Sequence, residues 1–462
     1  MMKHIRIGMI LALAAFLAGC QGPCDKLGTI TAPTTTSGSA DFSTYVAVGT
    51  SISAGYQSGG LVDRHQVRSF PALFAQAIGK TVLQNGQGQF TFPAVDHDGI
   101  PALTHVASFS PLVITSAGAT TGAPENFAQA TPYHNMAIPG ALLIDFADTT
   151  NYYATKLPPA GIGRTNFTMF NIVTRHRGSV LQQVLALRPT FMTFEYGSNE
   201  VLGAATAGST AYLFPSAVYT SVLTQCMNAI HTYSPGTKVA LFNVPNVTSI
   251  PFCTTFKPYT RSLTTGQVVT LLGPGRTPLS PTDLVLLTAA DSLARGTGFP
   301  IGAYNYVNPA APGNGRPLLD SQVLSTTEQA TIGAAITAMN AAVDSVATRP
   351  WIAKVDFNGL LSGLATNGYD LGSVHYSTAF VTGGIFSLDG VHPTDLGHAI
   401  GTNALIAAVN ARFGSTIQPL TVSKYTTSSA SRMVPVTEDG LPSSMELHGI
   451  QDGLQMLFPW RR

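Results

Sequence analysis

A strand-like run, Tyr45-Val46-Ala47-Val48, leads into Gly49, Thr50, Ser51 and Ile52. More than three hundred residues later, Asp389 precedes His392 by three positions in "SLDGVHPTDLGH" (387–398). Acyl transfer by a serine needs a hydroxyl, a base within hydrogen-bond reach, a carboxylate to orient that base, and donors for the oxyanion. Ser51 supplies a hydroxyl just past a strand. An Asp three residues before a His, on a turn into a helix, can accept from Nδ1–H of that imidazole, which leaves Nε2 to face Ser51. Asn199, in "YGSNE" (196–200), carries a side-chain N–H₂ suited to an oxyanion, beside the backbone N–H of Ser51. The backbone N–H of Gly140, in "NMAIPGALLIDF" (135–146), is a third candidate donor, because a missing side chain lets an acyl group approach. Pro393 and Thr394 fit a helix start that would fix the His392 backbone.

Other polar residues carry less. His176, His231 and His398 read as structural histidines. Asp96, His97 and Asp98 are consecutive, so their side chains point apart, and no metal site is expected. "LLGPGRTP" (271–278) lacks the lysine and the spacing of a phosphate loop. No cofactor is implied.

These residues need a scaffold that brings distant segments together. Strand patterns at 45–49, 190–197, 238–245 and 351–357 alternate with helical patterns at 69–79, 178–189, 216–236, 325–347 and 394–413. Ser69 and Pro71 punctuate the first helix, and Ser325 with Glu328 forms a capping box at the fourth. Strand–helix alternation predicts an α/β fold with a mostly parallel sheet covered on both faces. Ligands of such sheets bind beyond the carboxyl ends of the strands, where Ser51 and Asn199 fall. Residues 84–132 and 254–320 show little periodicity and read as long insertions.

The four blocks resemble those of the GDSL/SGNH hydrolase family, and more narrowly its bacterial lipid-anchored esterase and lipase members. They are Gly49-Thr50-Ser51-Ile52, Gly140, Gly197-Ser198-Asn199 and Asp389-Gly390-Val391-His392, in that order. The resemblance implies a three-layer α/β/α sandwich of flavodoxin-like SGNH type with a short, mostly parallel sheet. It implies a Ser51–His392–Asp389 triad, an oxyanion hole from Ser51, Gly140 and Asn199, and carboxylic ester substrates: small-molecule, lipid or acylated-glycan. Two positions depart from the family pattern: Thr50 stands where an Asp is usual, and Ile52 where a Leu is usual. Thr50 changes the hydrogen bonding that positions the Ser51 loop.

The chain has 462 residues, is 45% hydrophobic and only 10% charged, with a net charge of +1. There is no basic stripe, so nucleic acid is not an expected partner. Lys3 and Arg6 precede an apolar run from Ile7 to Leu17, the layout of a secretory signal. Leu17-Ala18-Gly19-Cys20 resembles a bacterial lipobox, which implies lipidation at Cys20 and anchoring to the outer membrane, on its periplasmic or surface side. The expected organisation is a signal over 1–20, a flexible tether over 21–43, a hydrolase domain over 44–413 and a tail over 414–462. Cys226 continues the helical spacing Val218, Val222, Cys226, Ile230, and both a buried thiol and a disulfide to Cys253 are open. Two further readings stand beside ester hydrolysis: a glycan- or lipid-binding lipoprotein with a vestigial site, and an O-acetyl esterase or acyltransferase acting on carbohydrate.

Overall fold

The computed structural model describes residues 35–96, 98–109, 112–116, 122–147, 168–426 and 445–447. The signal sequence, Cys20 and Cys24 lie outside them. Residues from Ser37 onward form one unit, to which everything below belongs.

At its centre is a four-stranded parallel sheet: β1 (Tyr45–Gly49), β2 (Phe191–Glu195), β3 (Lys238–Phe242) and β4 (Ile352–Val355), adjacent in that order. Successive side chains of a strand point to opposite faces, and here both faces are dry. Tyr45, Ala47, Phe191, Ala240, Phe242, Ala353 and Val355 pack on one side. Their partners are Phe70 and Phe74 of helix α2 (Phe70–Ala77) and Leu405, Ile406 and Val409 of α7 (Asp395–Phe413). Val46, Val48, Met192, Phe194, Val239 and Leu241 face the other way. They join Leu223, Met227 and Ile230 of α4 (Ser216–Tyr233) and Ile332, Ile336, Met339 and Val343 of α5 (Thr326–Ala347). The result is three layers, with the sheet between two sets of helices. Removing apolar surface on both faces is the main stabilising term for such a core.

The element ends follow their local chemistry. Ser325 and Glu328 form the expected reciprocal cap on α5. Thr394 caps α7, its side chain accepting from Gly397 N–H. Residues 134–138 run along the outer edge of β1: Ala47 N–H donates to the His134 carbonyl at 2.7 Å, and Ile138 N–H donates to the Gly49 carbonyl at 2.9 Å. This edge segment delivers Gly140 to the carboxyl end of the sheet.

Several elements were not expected from the sequence. Helix α6 (Phe357–Asn367) follows β4, capped by Asp356, whose side chain accepts from Gly359 N–H at 2.9 Å. A hairpin, Tyr369–Leu371 with Val374–Tyr376, comes next. The stretch 84–132 is not simply a loop: Thr104–Phe109 pairs antiparallel with Leu112–Ser116, and Met445–Leu447 adds a parallel third strand. Within 254–320, Tyr259–Arg261 pairs with Val268–Thr270 and Ala290–Ala294 is helical. Packing also extends past the expected core limits. Ser39 N–H donates to the Phe413 carbonyl, Phe42 lies edge-on to Phe191, and Ile417 and Val422 are buried. Cys226 and Cys253 are both buried and are not bonded to each other, so the alternative of a disulfide between them is not realised. Burial raises the Cys226 thiol to about 12, which keeps it protonated and inert.

Candidate active site

β1 and β2 end side by side, with Gly49 in register with Glu195. Just beyond Gly49 the chain enters a short helix, α1 (Ser51–Ala54), so Ser51 sits in its first turn. Just beyond Glu195 it turns at Gly197 into α3 (Ser198–Ala207). Gly197 has φ +118°, and an added Cβ would strike Val244 and approach the Tyr219 hydroxyl at 3.1 Å, so only glycine suits this turn. Two sheet ends therefore place Ser51 and Asn199 on one site.

Ser51 Oγ lies 2.8 Å from His392 Nε2, and His392 Nδ1 lies 2.9 Å from Asp389 Oδ2. All three side chains are almost completely buried. The 387–392 turn is closed on itself by Ser387 N–H donating to the His392 carbonyl and Gly390 N–H to the Ser387 carbonyl. Asp389 is held firmly. Its Oδ1 accepts from the backbone N–H of Val391 and of His392, each at 2.9 Å, and from the Ser387 hydroxyl at 3.1 Å. Its Oδ2 also accepts from Gly59 N–H at 3.0 Å. Burial alone would raise this carboxyl. The His392 imidazole and the backbone donors outweigh burial and hold it down to about 2. The Tyr56 ring covers His392, with centroids 4.8 Å apart.

The first insertion and the segment leading into the second brace this turn. Thr104 donates through its N–H and its hydroxyl to the Ser58 carbonyl, both at 2.8 Å, fixing the 56–60 loop that supplies Gly59. Phe252 N–H donates to the Gly390 carbonyl at 2.8 Å from the short helix just before the second insertion.

The Thr50 departure is answered from the neighbouring strand. Glu195, fully buried, accepts from Thr50 N–H (3.1 Å), the Thr50 hydroxyl (2.9 Å), the Ser53 hydroxyl (2.9 Å) and the Ser198 hydroxyl (3.3 Å). Burial raises the Glu195 carboxyl, and these four donors offset part of that. One carboxylate thus ties α1 to the start of α3. Gly49 is required here by close approach: a Cβ would come within 2.5 Å of the Glu195 carbonyl oxygen and 2.9 Å of Oε2. Sequence reasoning missed Glu195; the signal was an acid ending the otherwise uncharged strand "FMTFE".

Asn199 is buried beside Ser51 and His392 in the wall of one cavity. Its Nδ2 donates to the Ala141 carbonyl at 2.8 Å, which commits one of its two N–H groups, and its Oδ1 has no partner among the described residues. Gly140, φ +78°, directly precedes Ala141 and is therefore tied to Asn199, but it does not line the cavity. Asp96 Oδ1 caps the Ala123 N–H, His97 lies outside the described residues, and no cluster of three metal-ligating side chains occurs among the described residues.

The cavity, about 100 Å³, opens from Ser51 and His392 between α6, α7 and the 385–393 segment. Its walls are almost wholly apolar: Ile52, Leu202, Leu360, Leu361, Leu364 and Phe386 are representative. Such a space suits a hydrocarbon chain attached to a carbonyl held at Ser51.

No family model and no curated protein matches the sequence. Among solved structures, the chain is similar to an extracellular lipase from Streptomyces rimosus, with 15% identity and a TM-score of 0.32, over 79% of this chain and 98% of that one. It is also similar to a putative GDSL-like lipase from Parabacteroides merdae ATCC 43184, with 10% identity and a TM-score of 0.32, over 79% and 96%. The chain's α/β architecture stands on its own sheet and helices.

Proposed function

We propose that this chain is a serine ester hydrolase acting through an acyl-enzyme. The observation that carries the reading is the hydrogen-bonded series Ser51–His392–Asp389 at the mouth of an apolar cavity. Asp389, held ionised, can only accept, so His392 keeps its proton on Nδ1 and presents a bare Nε2 to the Ser51 hydroxyl. Ser51 attacks the ester carbonyl as His392 takes its proton. The tetrahedral oxyanion is met by the Ser51 N–H, which at the first helical position has no intrahelical acceptor, and by the second Nδ2 hydrogen of Asn199, which the carbonyl of Ala141, next to Gly140, holds in place. His392 returns the proton to the departing alcohol. Water then repeats the sequence on the acyl-Ser51 ester.

The cavity favours an acyl group with a hydrocarbon tail over acetyl. The N-terminal sequence supports export and attachment to the outer membrane through Cys20, which would put the site within reach of lipid esters. The test is hydrolysis of p-nitrophenyl acetate, butyrate and octanoate by the full chain in detergent. Turnover should rise with chain length up to the capacity of the cavity, and Ser51→Ala should remove it, by on the order of a million-fold. Equal rates for wild type and Ser51→Ala would reject the reading.

A further inference from the structure

One group does not belong in the cavity wall as a hydrocarbon site. His398, on α7 and only 1% exposed, lines the cavity together with Ser51 and His392. Neither of its ring nitrogens has a hydrogen-bond partner among the described residues. The nearest obvious partner, Asp395, is engaged elsewhere: its carboxylate accepts from Gln57 at 3.0 Å and pairs with His65 and Arg68, each at 3.3 Å. Burial drives the His398 imidazole down to about 3, so it is neutral at any ordinary pH and offers one N–H donor and one bare nitrogen. A packed interior would place a leucine or phenylalanine there. A buried polar group left unmatched is costly, and that cost disappears when a ligand supplies the match.

We propose that His398 recognises a hydroxyl on the substrate's chain, so that the preferred ester carries a hydroxylated acyl group rather than a plain fatty one. This inference rests on the reading of Ser51 as nucleophile and deepens it. A hydroxyl fits because it can donate or accept, and so matches whichever nitrogen faces the chain. A carboxylate or an ammonium does not, because among the described residues no Asp, Glu, Lys or Arg lines the cavity to meet a charge taken out of water. The apolar walls from Leu360, Leu361, Leu364 and Phe386 then hold the methylenes on either side of the hydroxyl. His398 is a specificity residue and takes no part in proton transfer.

The experiment compares p-nitrophenyl octanoate with octanoates carrying one hydroxyl at successive carbons. In the wild type, one position of the hydroxyl should raise kcat/KM about 10-fold over the plain ester. His398→Leu should abolish that preference, read as the ratio of kcat/KM for hydroxylated over plain octanoate within the variant, and His398→Gln, which retains a donor and an acceptor, should restore part of it. No advantage at any position in the wild type, or an advantage that survives His398→Leu, overturns the proposal. Calorimetric titration of the corresponding methyl esters into Ser51→Ala separates the two readings. A hydroxyl-dependent gain in affinity of about 10-fold, lost in Ser51→Ala/His398→Leu, supports the site even if no ester is turned over. Equal affinity for plain and hydroxylated methyl esters rejects the site whatever the esterase activity.

Discussion

At the residue scale, the decisive feature is how few groups touch each other and how firmly each is held. Asp389 accepts four backbone and hydroxyl hydrogen bonds besides that of His392. Asp389→Asn keeps the shape but can donate to Nδ1 and so favours the wrong imidazole tautomer. Its kcat should fall by about 10⁴, the loss expected for that change in a serine triad, with KM nearly unchanged. Glu195 acts one step back, through the loop that carries Ser51. Glu195→Gln replaces an all-acceptor group facing four donors with one that must donate, and should lower kcat about 10-fold with little change in KM; a drop in melting temperature at constant kcat would mark a purely structural role. Glu200 is a different case. Burial raises its carboxyl to about 8, against a donor from Leu143 N–H at 2.7 Å. It binds a proton in the folded protein over the range where the unfolded chain has released it, so its contribution to stability is lost as pH rises from about 4.5 to about 8. Glu200→Gln should flatten that decline in denaturant midpoints measured across the same range. The Ser, Asp and His positions were legible because short motifs at strand and helix ends carry them. Glu195 and His398 were not, because their meaning lies in which distant atoms surround them.

At the element scale, strands and helices with strong periodicity or explicit caps were readable: β1, β2, β3, β4, α2, α4, α5 and α7 all fall where the patterns put them. Helix α6 was not. Its sequence "FNGLLSGLATN" holds two glycines, each costing about 1 kcal/mol in a helix, and it buries only Leu364 fully. The helix exists because Asp356 caps it and because Leu360, Leu361 and Leu364 cover the cavity beside Ser51. It is therefore the element most free to set chain length. Leu361→Ala should enlarge the cavity and raise the octanoate-to-butyrate ratio of kcat/KM, while Leu361→Trp should lower it; ratios unmoved by both would place the acyl chain elsewhere. The hairpin 104–116 was hidden for another reason. Its pairing with Met445–Leu447 joins segments over three hundred residues apart, and no local pattern reports such a partner.

At the scale of the whole molecule, the sheet sets the geometry of the proposed site, and the first insertion and the segment leading into the second stiffen it. Thr104 secures the loop that donates Gly59 to Asp389, and Phe252 secures Gly390. The low charge, 10% of residues, follows from a body in which uncharged loops are fastened by hydroxyl and amide hydrogen bonds. Covalent bracing between Cys226 and Cys253 is absent, and both residues are buried. Cys226→Ser should accordingly leave unaltered whatever shift in melting temperature a reductant produces; a shift that disappears in the variant would show a disulfide at Cys226.

The central claim is that Ser51 is an activated nucleophile. The direct measurement is intact-mass and peptide mass spectrometry after brief treatment with a fluorophosphonate, on wild type, Ser51→Ala and Asp389→Asn. The account predicts one adduct in the wild type, located at Ser51, none in Ser51→Ala, and labelling slowed by orders of magnitude in Asp389→Asn. An unlabelled wild type, or an adduct that persists in Ser51→Ala, would contradict it.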